Sequence, residues 1–197
     1  MQGETYMGGA ANYARHAADG TLMLYGTGRV IRHIRIGAGS WKPGSTAPTA
    51  GFSGVYPHLS FAANADEEAH YELMVPYRRS AGTAIEVEVD WYYTGVQDNG
   101  VVSWDIEYLS CAAGENPAAN GANVTKVSAA SQTVNTLIKT SFAAGPIASG
   151  LLTDGEPLGI RFWRNSNENE YDTMKTAAIL IAVHLHFTLD KLGKDIV

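Results

Sequence analysis

The chain has 197 residues, of which 45% are hydrophobic and 17% are charged, and its formal net charge is -6. A chain of this length buries about 70% of its unfolded surface, so one sizeable core can form without metal or disulfide support. The negative charge and the lack of a basic stripe exclude a sequence-independent phosphate binder, so no nucleic-acid partner is expected.

Three further features bear on the compartment in which the protein matures and on membrane contact. Cys111 is the only cysteine, so no intrachain disulfide can form and a reducing compartment is expected. The longest apolar run, residues 176–183, is shorter than the roughly 20 residues that a membrane helix requires, so no membrane partner is expected. Residues 1–9 lack a basic start followed by a long apolar run, which argues against a secretory signal.

Residues 1–54 are predicted to form an extended N-terminal arm that contains the first strands and serves as an anchor. A Gly- and Pro-rich stretch, 37–54, closes this part of the chain. A later strand is expected to end before Pro76, which has no backbone N–H to donate to a sheet. In the first 76 residues, strands are predicted at 22–25, 30–36, 56–61 and 69–75.

Residues 84–93 and 102–108 show the clearest period of two in the chain. In each segment apolar side chains alternate with polar or acidic ones, as in a strand with one buried and one wet face. The turn-rich sequence between them, which ends in Asn99-Gly100, predicts that the two strands form an antiparallel hairpin. The predicted inward residues are Ile85, Val87, Val89, Trp91, Val102, Trp104, Ile106 and Tyr108.

The second half of the chain continues the pattern of short strands and turn-rich joints. Residues 112–122 are rich in Ala, Gly, Asn and Pro and predict a surface loop, and 164–172 predicts a polar loop. The last strand alternates, which places Ile179, Ile181 and Val183 on one predicted face. Strands are predicted here at 123–129, 133–142, 157–163 and 176–189.

Strands at this spacing, without a convincing amphipathic helix, predict an all-β fold. We expect an antiparallel jelly-roll-like β-sandwich over residues 55–190, preceded by the extended N-terminal arm and followed by a C-terminal tail at 191–197. Many small neutral residues are available for the surface, and such a surface suits close packing against neighbouring subunits.

A series of short motifs follows in order along the chain. They are Asp19-Gly20-Thr21-Leu22, Gly28-Arg29-Val30, residues 67–77, Ala81-Gly82-Thr83-Ala84-Ile85, Val89-Asp90-Trp91, residues 100–108, Arg161-Phe162-Trp163-Arg164, Tyr171-Asp172-Thr173 and residues 177–190. In this order they resemble a family of bacteriophage and prophage virion proteins, and the resemblance extends from Asp19 to Asp190. The chain departs from the family pattern where Tyr77 and not His follows Pro76, and where Asp90-Trp91 lacks flanking histidines, so those positions support no shared ligand or metal site.

The resemblance implies a trimeric jelly-roll protein of a phage particle with no known catalytic motif. The first interpretation is therefore a phage virion structural protein, a capsid decoration, head-fibre or collar component that assembles as a homotrimer. It would be made in the bacterial cytoplasm and would bind the major capsid or tail and collar proteins of the virion. The alternative is a tail-associated receptor- or carbohydrate-binding module with a host-surface glycan as its partner.

His184 and His186 lie on one face of the last predicted strand, a spacing that can chelate Zn²⁺. No third ligand accompanies them at a recognisable spacing, although His33, His58 and His70 are available. Stacking or hydrogen bonding at a subunit contact is therefore the favoured interpretation, and no metal is expected.

An acidic set on the two central strands is the other candidate for chemistry, because paired carboxylates can act as general acid and base. A solvated face with salt bridges has the same pattern and is the favoured interpretation. No GxSxG-type nucleophile motif occurs, and Gly26-Thr27-Gly28 lacks the helix and third glycine of a dinucleotide cradle, so neither a catalytic residue nor a cofactor is expected. The acidic set consists of Glu86, Glu88, Asp90, Asp105 and Glu107.

Recognition in β-sandwiches is commonly carried by loops, and the polar loop after the strand at 157–163 is the first candidate. Its predicted binding residues are Asn165, Asn167, Asn169 and Tyr171. Trp41, Tyr92 and Tyr93 are predicted to join this exposed surface, and the loop at 112–122 is the second candidate. Trp91, Trp104 and Trp163 are instead predicted to lie in the core.

Overall fold

The computed structural model describes residues 5–96, 100–124, 133–143, 145–167 and 172–192 in full, and the backbone of 125–129. No helix in these residues is long and apolar enough to cross a membrane. Three short 3-10 helices, Gly26–Gly28, Ala38–Ser40 and Ser149–Leu151, interrupt the strands. The strands are β1 (Thr5–Gly8), β2 (Tyr13–His16), β3 (Leu22–Leu24), β4 (Val30–Gly37), β5 (Lys42–Pro43), β6 (Thr49–Ser53), β7 (Tyr56–Phe61), β8 (Glu68–Met74), β9 (Glu86–Tyr93), β10 (Val101–Ser110), β11 (Ala122–Ala129), β12 (Ile138–Ser141), β13 (Pro157–Arg164), β14 (Ala178–Leu189) and β15 (Lys191–Leu192).

The strands form a sandwich of two large sheets and one small sheet. The six-stranded sheet has the order β12-β9-β14-β7-β6, with β4 also paired to β14, and the five-stranded sheet has the order β11-β10-β13-β8-β5. The small sheet, β1-β2-β3-β15, brings together the two ends of the described chain. All described strand pairs are antiparallel, so the predicted all-β, antiparallel sandwich is confirmed.

Aromatic side chains from both large sheets meet in the core. Trp91 on β9 and Trp104 on β10 pack edge to face with ring centroids 5.8 Å apart. Trp104 stacks on Phe162 at 5.0 Å and meets Phe61 at 5.4 Å, both within the range of favourable aromatic pairs. The inward faces predicted for β9 and β10 are therefore confirmed, since all of their predicted members are buried.

The predicted hairpin between β9 and β10 is wrong. β9 pairs with β12 and β14 in the six-stranded sheet, whereas β10 pairs with β11 and β13 in the five-stranded sheet. The two strands face each other across the core through Trp91 and Trp104. Alternation along a strand identifies its buried face, but it is the same whether the next strand lies beside it or in the opposite sheet.

β14 contains a bulge that changes the predicted face assignment. The pairing register with β9 shifts between Leu180 and Ala182. Because a bulge adds one residue, Leu180 lies in the core with Val183, and Ile179 and Ile181 lie outside the main core cluster. The prediction that Ile179, Ile181 and Val183 share one face is therefore wrong.

A buried ion pair joins the ends of several strands. Arg164 is fully buried, and its Nε and Nη2 donate to the two Asp172 carboxylate oxygens at 2.7 Å each. Its remaining N–H groups donate to the carbonyls of Phe61, Met174 and Thr176 at 3.3, 2.8 and 2.8 Å. All five guanidinium donors are thus used, and they tie the end of β13 to β7 and to the loop before β14.

The segment before residue 55 contributes to all three sheets. β4 pairs along its length with β14, and Trp41 is buried in the core. β5 and β6 lie at edges of the two large sheets, while β1, β2 and β3 belong to the small sheet. At the other end, β15 pairs with β3, and residues 193–197 of the predicted tail lie outside the described residues.

Candidate functional site

The outer face of the six-stranded sheet carries a dense set of polar side chains. On β9 the residues that alternate with the core, Glu86, Glu88 and Asp90, point to this face. The strand register places His184 of β14 opposite Glu88, and His186 opposite Glu86. The acidic side chains predicted to be wet on β9 therefore meet histidines from a strand that is distant in sequence.

Asp90 lies at the centre of this face and is only 6% exposed. It accepts hydrogen bonds from Lys139 Nζ at 2.7 Å and from His184 Nε2 at 2.8 Å. Burial alone would raise the pKa of Asp90, but the hydrogen bonds from Lys139 and His184 outweigh it, and the pKa is lowered. Asp90 is therefore an ionised carboxylate at neutral pH.

Lys139 bridges the two carboxylates of β9. Its ammonium donates to Asp90 and to Glu88 Oε1, the latter at 3.0 Å, and these hydrogen bonds raise the pKa of Lys139. Lys139 was not among the site residues predicted from the sequence. Its position in the predicted strand 133–142 could have indicated a role, because Lys139 lies opposite Asp90 once β12 pairs with β9.

Three histidines cluster beside Asp90. His33 on β4 lies opposite His186. The ring centroid of His33 lies 4.7 Å from that of His184 and 4.6 Å from that of His186. His33 Nε2 and His184 Nδ1 are 2.5 Å apart. Desolvation is the largest effect that lowers the pKa of His33, and the nearby His184 and His186 lower it further. The structure thus adds His33 to the predicted HxH pair, while His70 lies on the other large sheet.

A groove of about 510 Å³ runs over the same face next to Asp90. Two tyrosines lie in it, Tyr56, which is 56% exposed, and the half-buried Tyr92. Ser53 Oγ forms hydrogen bonds with the Tyr92 hydroxyl and, at 2.5 Å, with His58 Nδ1, which holds the tyrosine ring in place. The groove is lined by Arg35, Ser53, Tyr56, Asp90, Tyr92, Asn135, Leu137 and Ile181.

Asn135 reaches the groove from an unusual backbone conformation. Its φ is 61°, in the left-handed region that few residues other than Gly, Asn and Asp adopt. Its N–H donates to the Tyr93 carbonyl at 3.0 Å, which fixes the turn before β12 against β9. An amide side chain is thereby presented beside Tyr92 and Asp90.

A second groove of about 510 Å³ lies on the outer face of the five-stranded sheet. Arg161, one of its charged lining residues, donates to Glu68 and, at 3.1 Å, to Glu107. The Arg161 guanidinium also lies 4.5 Å from the Trp163 ring centroid. Arg161 and Glu107 are therefore engaged with each other in this groove.

The described part of the predicted binding loop is hydrogen-bonded to the sandwich. Asn165 is half-buried and donates to Asp105, and Asn167 donates through its backbone and side chain to Asp66 at 3.0 and 2.6 Å. These hydrogen bonds hold the loop against the sandwich. Asn169 and Tyr171 lie outside the described residues.

Two of the aromatic residues predicted to be exposed are buried. Trp41 is 4% exposed and packs against Phe162, and Tyr93 is completely buried. Tyr93 lies on the core face of β9, and Trp41 also belongs to the core cluster. Neither prediction of exposure is therefore correct. Tyr92 lies on the opposite face of β9 and lines the groove, and Trp163 is buried although it lies outside the main core cluster.

Comparison with known proteins yields similarity of fold alone. No protein-family profile matches the chain, and no curated protein matches its sequence. The xylan-binding module CBM15 is 9% identical with a TM-score of 0.53, and the match covers 83% of this chain and 99% of that module. An isomalto-dextranase from Arthrobacter globiformis T6, complexed with panose, is 15% identical with a TM-score of 0.50 over 78% of this chain.

The match to the isomalto-dextranase spans only 23% of that enzyme's chain. The infectious bursal disease virus Gx strain structure is 10% identical over 93% of this chain, but its TM-score of 0.35 is too low to bear on function. These comparisons support the β-sandwich fold. They include no phage-specific family, so the resemblance to phage virion proteins stays a prediction.

Proposed function

We propose that this chain is a non-catalytic carbohydrate-binding module that holds a polysaccharide in the groove beside Asp90. The observation that carries the proposal is the combination of Tyr56, Tyr92 and the Asp90 carboxylate in one open groove. Tyrosine rings offer apolar faces on which the C–H faces of sugar rings can pack, and carboxylate and amide groups can bind sugar hydroxyls. Such a mostly apolar groove with a few placed polar groups is typical of ligand sites.

The electrostatics of the groove support binding over hydrolysis. A general acid must hold a proton near neutral pH, which requires a raised carboxyl pKa. The pKa of Asp90 is instead lowered by its hydrogen bonds to Lys139 and His184. Glu88 accepts a hydrogen bond from the same Lys139 ammonium at 3.0 Å, so one cation contacts both neighbouring carboxylates.

The fold comparison supports the same proposal. The match with the xylan-binding module extends over almost all of that module and most of this chain. The fold permits many functions, so the choice rests on the groove residues. Xylan and dextran are the first polysaccharides to test.

Replacing Tyr56 by Ala is expected to weaken polysaccharide binding about tenfold, because a stacked aromatic face is lost. Tyr56 is largely exposed, so the fold should persist. The matched control is Tyr6→Ala, since Tyr6 is 57% exposed on the small sheet. Affinity is measured by titration calorimetry with the best ligand of a panel that includes xylan and dextran. Equal affinities of both variants, or no binding to any member, would refute the proposal.

We further propose, from the sequence resemblance, that the module is carried on a phage particle as a homotrimer. Its N-terminal part would contact capsid, tail or collar proteins. The exposed Tyr6 and Met7 on β1 are apolar side chains of the kind that such a contact would cover. Light scattering on the purified chain is expected to give three times the mass of 21.1 kDa. A monomer at all concentrations would contradict the trimer.

A further inference from the structure

We propose that His33, His184 and His186 bind a divalent transition-metal ion such as Zn²⁺, with Asp90 orienting His184. None of the three histidines lines the proposed carbohydrate groove, although Asp90 contacts both sites. Imidazole nitrogens are preferred Zn²⁺ ligands, and three of them leave a fourth position for water or a carboxylate.

The sheet register brings the three rings together. His184 and His186 are two residues apart on β14, so their side chains share one face. His33 lies opposite His186 on the neighbouring strand, and its ring lies close to both other rings. The cluster therefore rests on two paired strands and not on a loop.

The tautomer of His184 follows from its contact with Asp90. The ionised carboxylate only accepts, so His184 Nε2 donates the hydrogen of the 2.8 Å bond. His184 Nδ1 then accepts the hydrogen bond from His33 Nε2, and a metal ion would take the place of that hydrogen. A histidine that donates one N–H to a carboxylate and presents its other nitrogen is the usual arrangement of a Zn²⁺ ligand.

The spacing of the His33 and His184 nitrogens allows a metal ion with a small adjustment. His33 Nε2 and His184 Nδ1 are 2.5 Å apart, shorter than an ordinary N–H hydrogen bond. Two nitrogens on a tetrahedral Zn²⁺ are about 3.3 Å apart, from Zn–N distances of about 2.0 Å. The rings must therefore separate by about 0.8 Å, and His33 is exposed, so its side chain has room to move.

His186 supplies the third ligand. Its Nε2 is screened from solvent and has no hydrogen-bond partner among the described residues. A buried imidazole nitrogen without a partner is costly, and coordination of a metal ion would satisfy it.

The charges around the cluster also favour a divalent cation. Glu86, Glu88 and Asp90 contribute three carboxylates on β9 beside the histidines. Lys139 and Arg35 are the facing cations, so one negative charge remains to offset a metal ion. Ligand atoms of Glu88, Asp90 and His184 lie within 4.8 Å of one another, so two carboxylates lie directly beside the His184 imidazole.

Titration calorimetry with ZnCl₂ tests the proposal on the full chain. We expect saturable binding of one Zn²⁺ per chain, weakened by about tenfold or more in His33→Ala and in His186→Ala. His33 is exposed, so its variant should fold, and circular dichroism checks this. The matched control is His70→Ala, because His70 lies 3.8 Å from the Glu68 carboxylate on the other sheet with its side chain 47% exposed.

Co²⁺ provides a second readout, since a tetrahedral site containing imidazoles gives visible absorption bands. These bands are expected in wild type and His70→Ala and are expected to be lost in His33→Ala. Absence of saturable Zn²⁺ binding, or equal affinities in wild type and His33→Ala, would overturn the assignment. Polysaccharide binding by the same variants is measured separately, so failure of the metal site leaves the proposed carbohydrate function open.

Discussion

Replacing Arg164 by Met is expected to lower the free energy of unfolding by about 3–5 kcal/mol, because Asp172 would be left as a buried, unpaired charge. Both side chains are almost fully buried, and the guanidinium uses all of its donors on Asp172 and on three carbonyls. Domains have a total stability of about 5–15 kcal/mol, so the variant would be marginal. Urea unfolding followed by tryptophan fluorescence measures the change.

Arg161→Met is the matched control, because Arg161 lies on the same strand and pairs with Glu68 and Glu107, but its side chain is 38% exposed. Water reaches the Arg161 side of these pairs, so this variant should lose less stability than Arg164→Met. The double variant Arg164→Met with Asp172→Leu should be more stable than Arg164→Met alone, since no unpaired charge remains. Equal losses in Arg164→Met and Arg161→Met would contradict the structural role assigned to Arg164.

Asp90→Asn is expected to weaken polysaccharide binding by about 10- to 100-fold, the range of about 1.5–3 kcal/mol for hydrogen bonds to a charged group. Lys139 and His184 each occupy one carboxylate oxygen, and each oxygen retains an acceptor site for a sugar hydroxyl. The amide keeps the shape of the side chain but loses its charge and one acceptor oxygen. Titration calorimetry with the best polysaccharide of the panel measures the effect.

Glu107→Gln controls for the loss of a paired carboxylate, because Glu107 binds Arg161 and lines the second groove. Its affinity for the polysaccharide should equal that of the wild type. An effect of Glu107→Gln with none of Asp90→Asn would place the ligand on the five-stranded sheet and contradict the assignment. Unfolding curves for both variants show whether a change in affinity reflects a change in stability.

Local pattern was sufficient to predict the all-β class and the buried faces of the central strands. The alternation in β9 and β10 marks Val87, Trp91 and Trp104 as inward, and all are buried. Pairing could not be predicted in the same way, because two alternating strands look alike whether they are neighbours or face each other across the core. The bulge in β14 was missed since no Gly marks it and the apolar run is continuous.

The candidate site depends on contacts between residues that are far apart in sequence. Asp90 and His184 are separated by 94 residues, and His33 and His184 by 151. Sequence analysis singled out His184, His186 and the acidic set, but the third histidine and Lys139 join them only through the pairing of β4, β9, β12 and β14. The aromatic candidate Trp41 was misplaced because a Gly- and Pro-rich neighbourhood predicts an exposed loop.

A crystal structure of the chain soaked with xylohexaose, or with an oligosaccharide of the polysaccharide that binds best, shows whether carbohydrate occupies the groove beside Asp90. We predict a sugar ring packed on Tyr56 or Tyr92, with a hydroxyl within hydrogen-bond distance of Asp90. Sugar bound in the groove beside Arg161, or at neither groove although the ligand binds in solution, would contradict it.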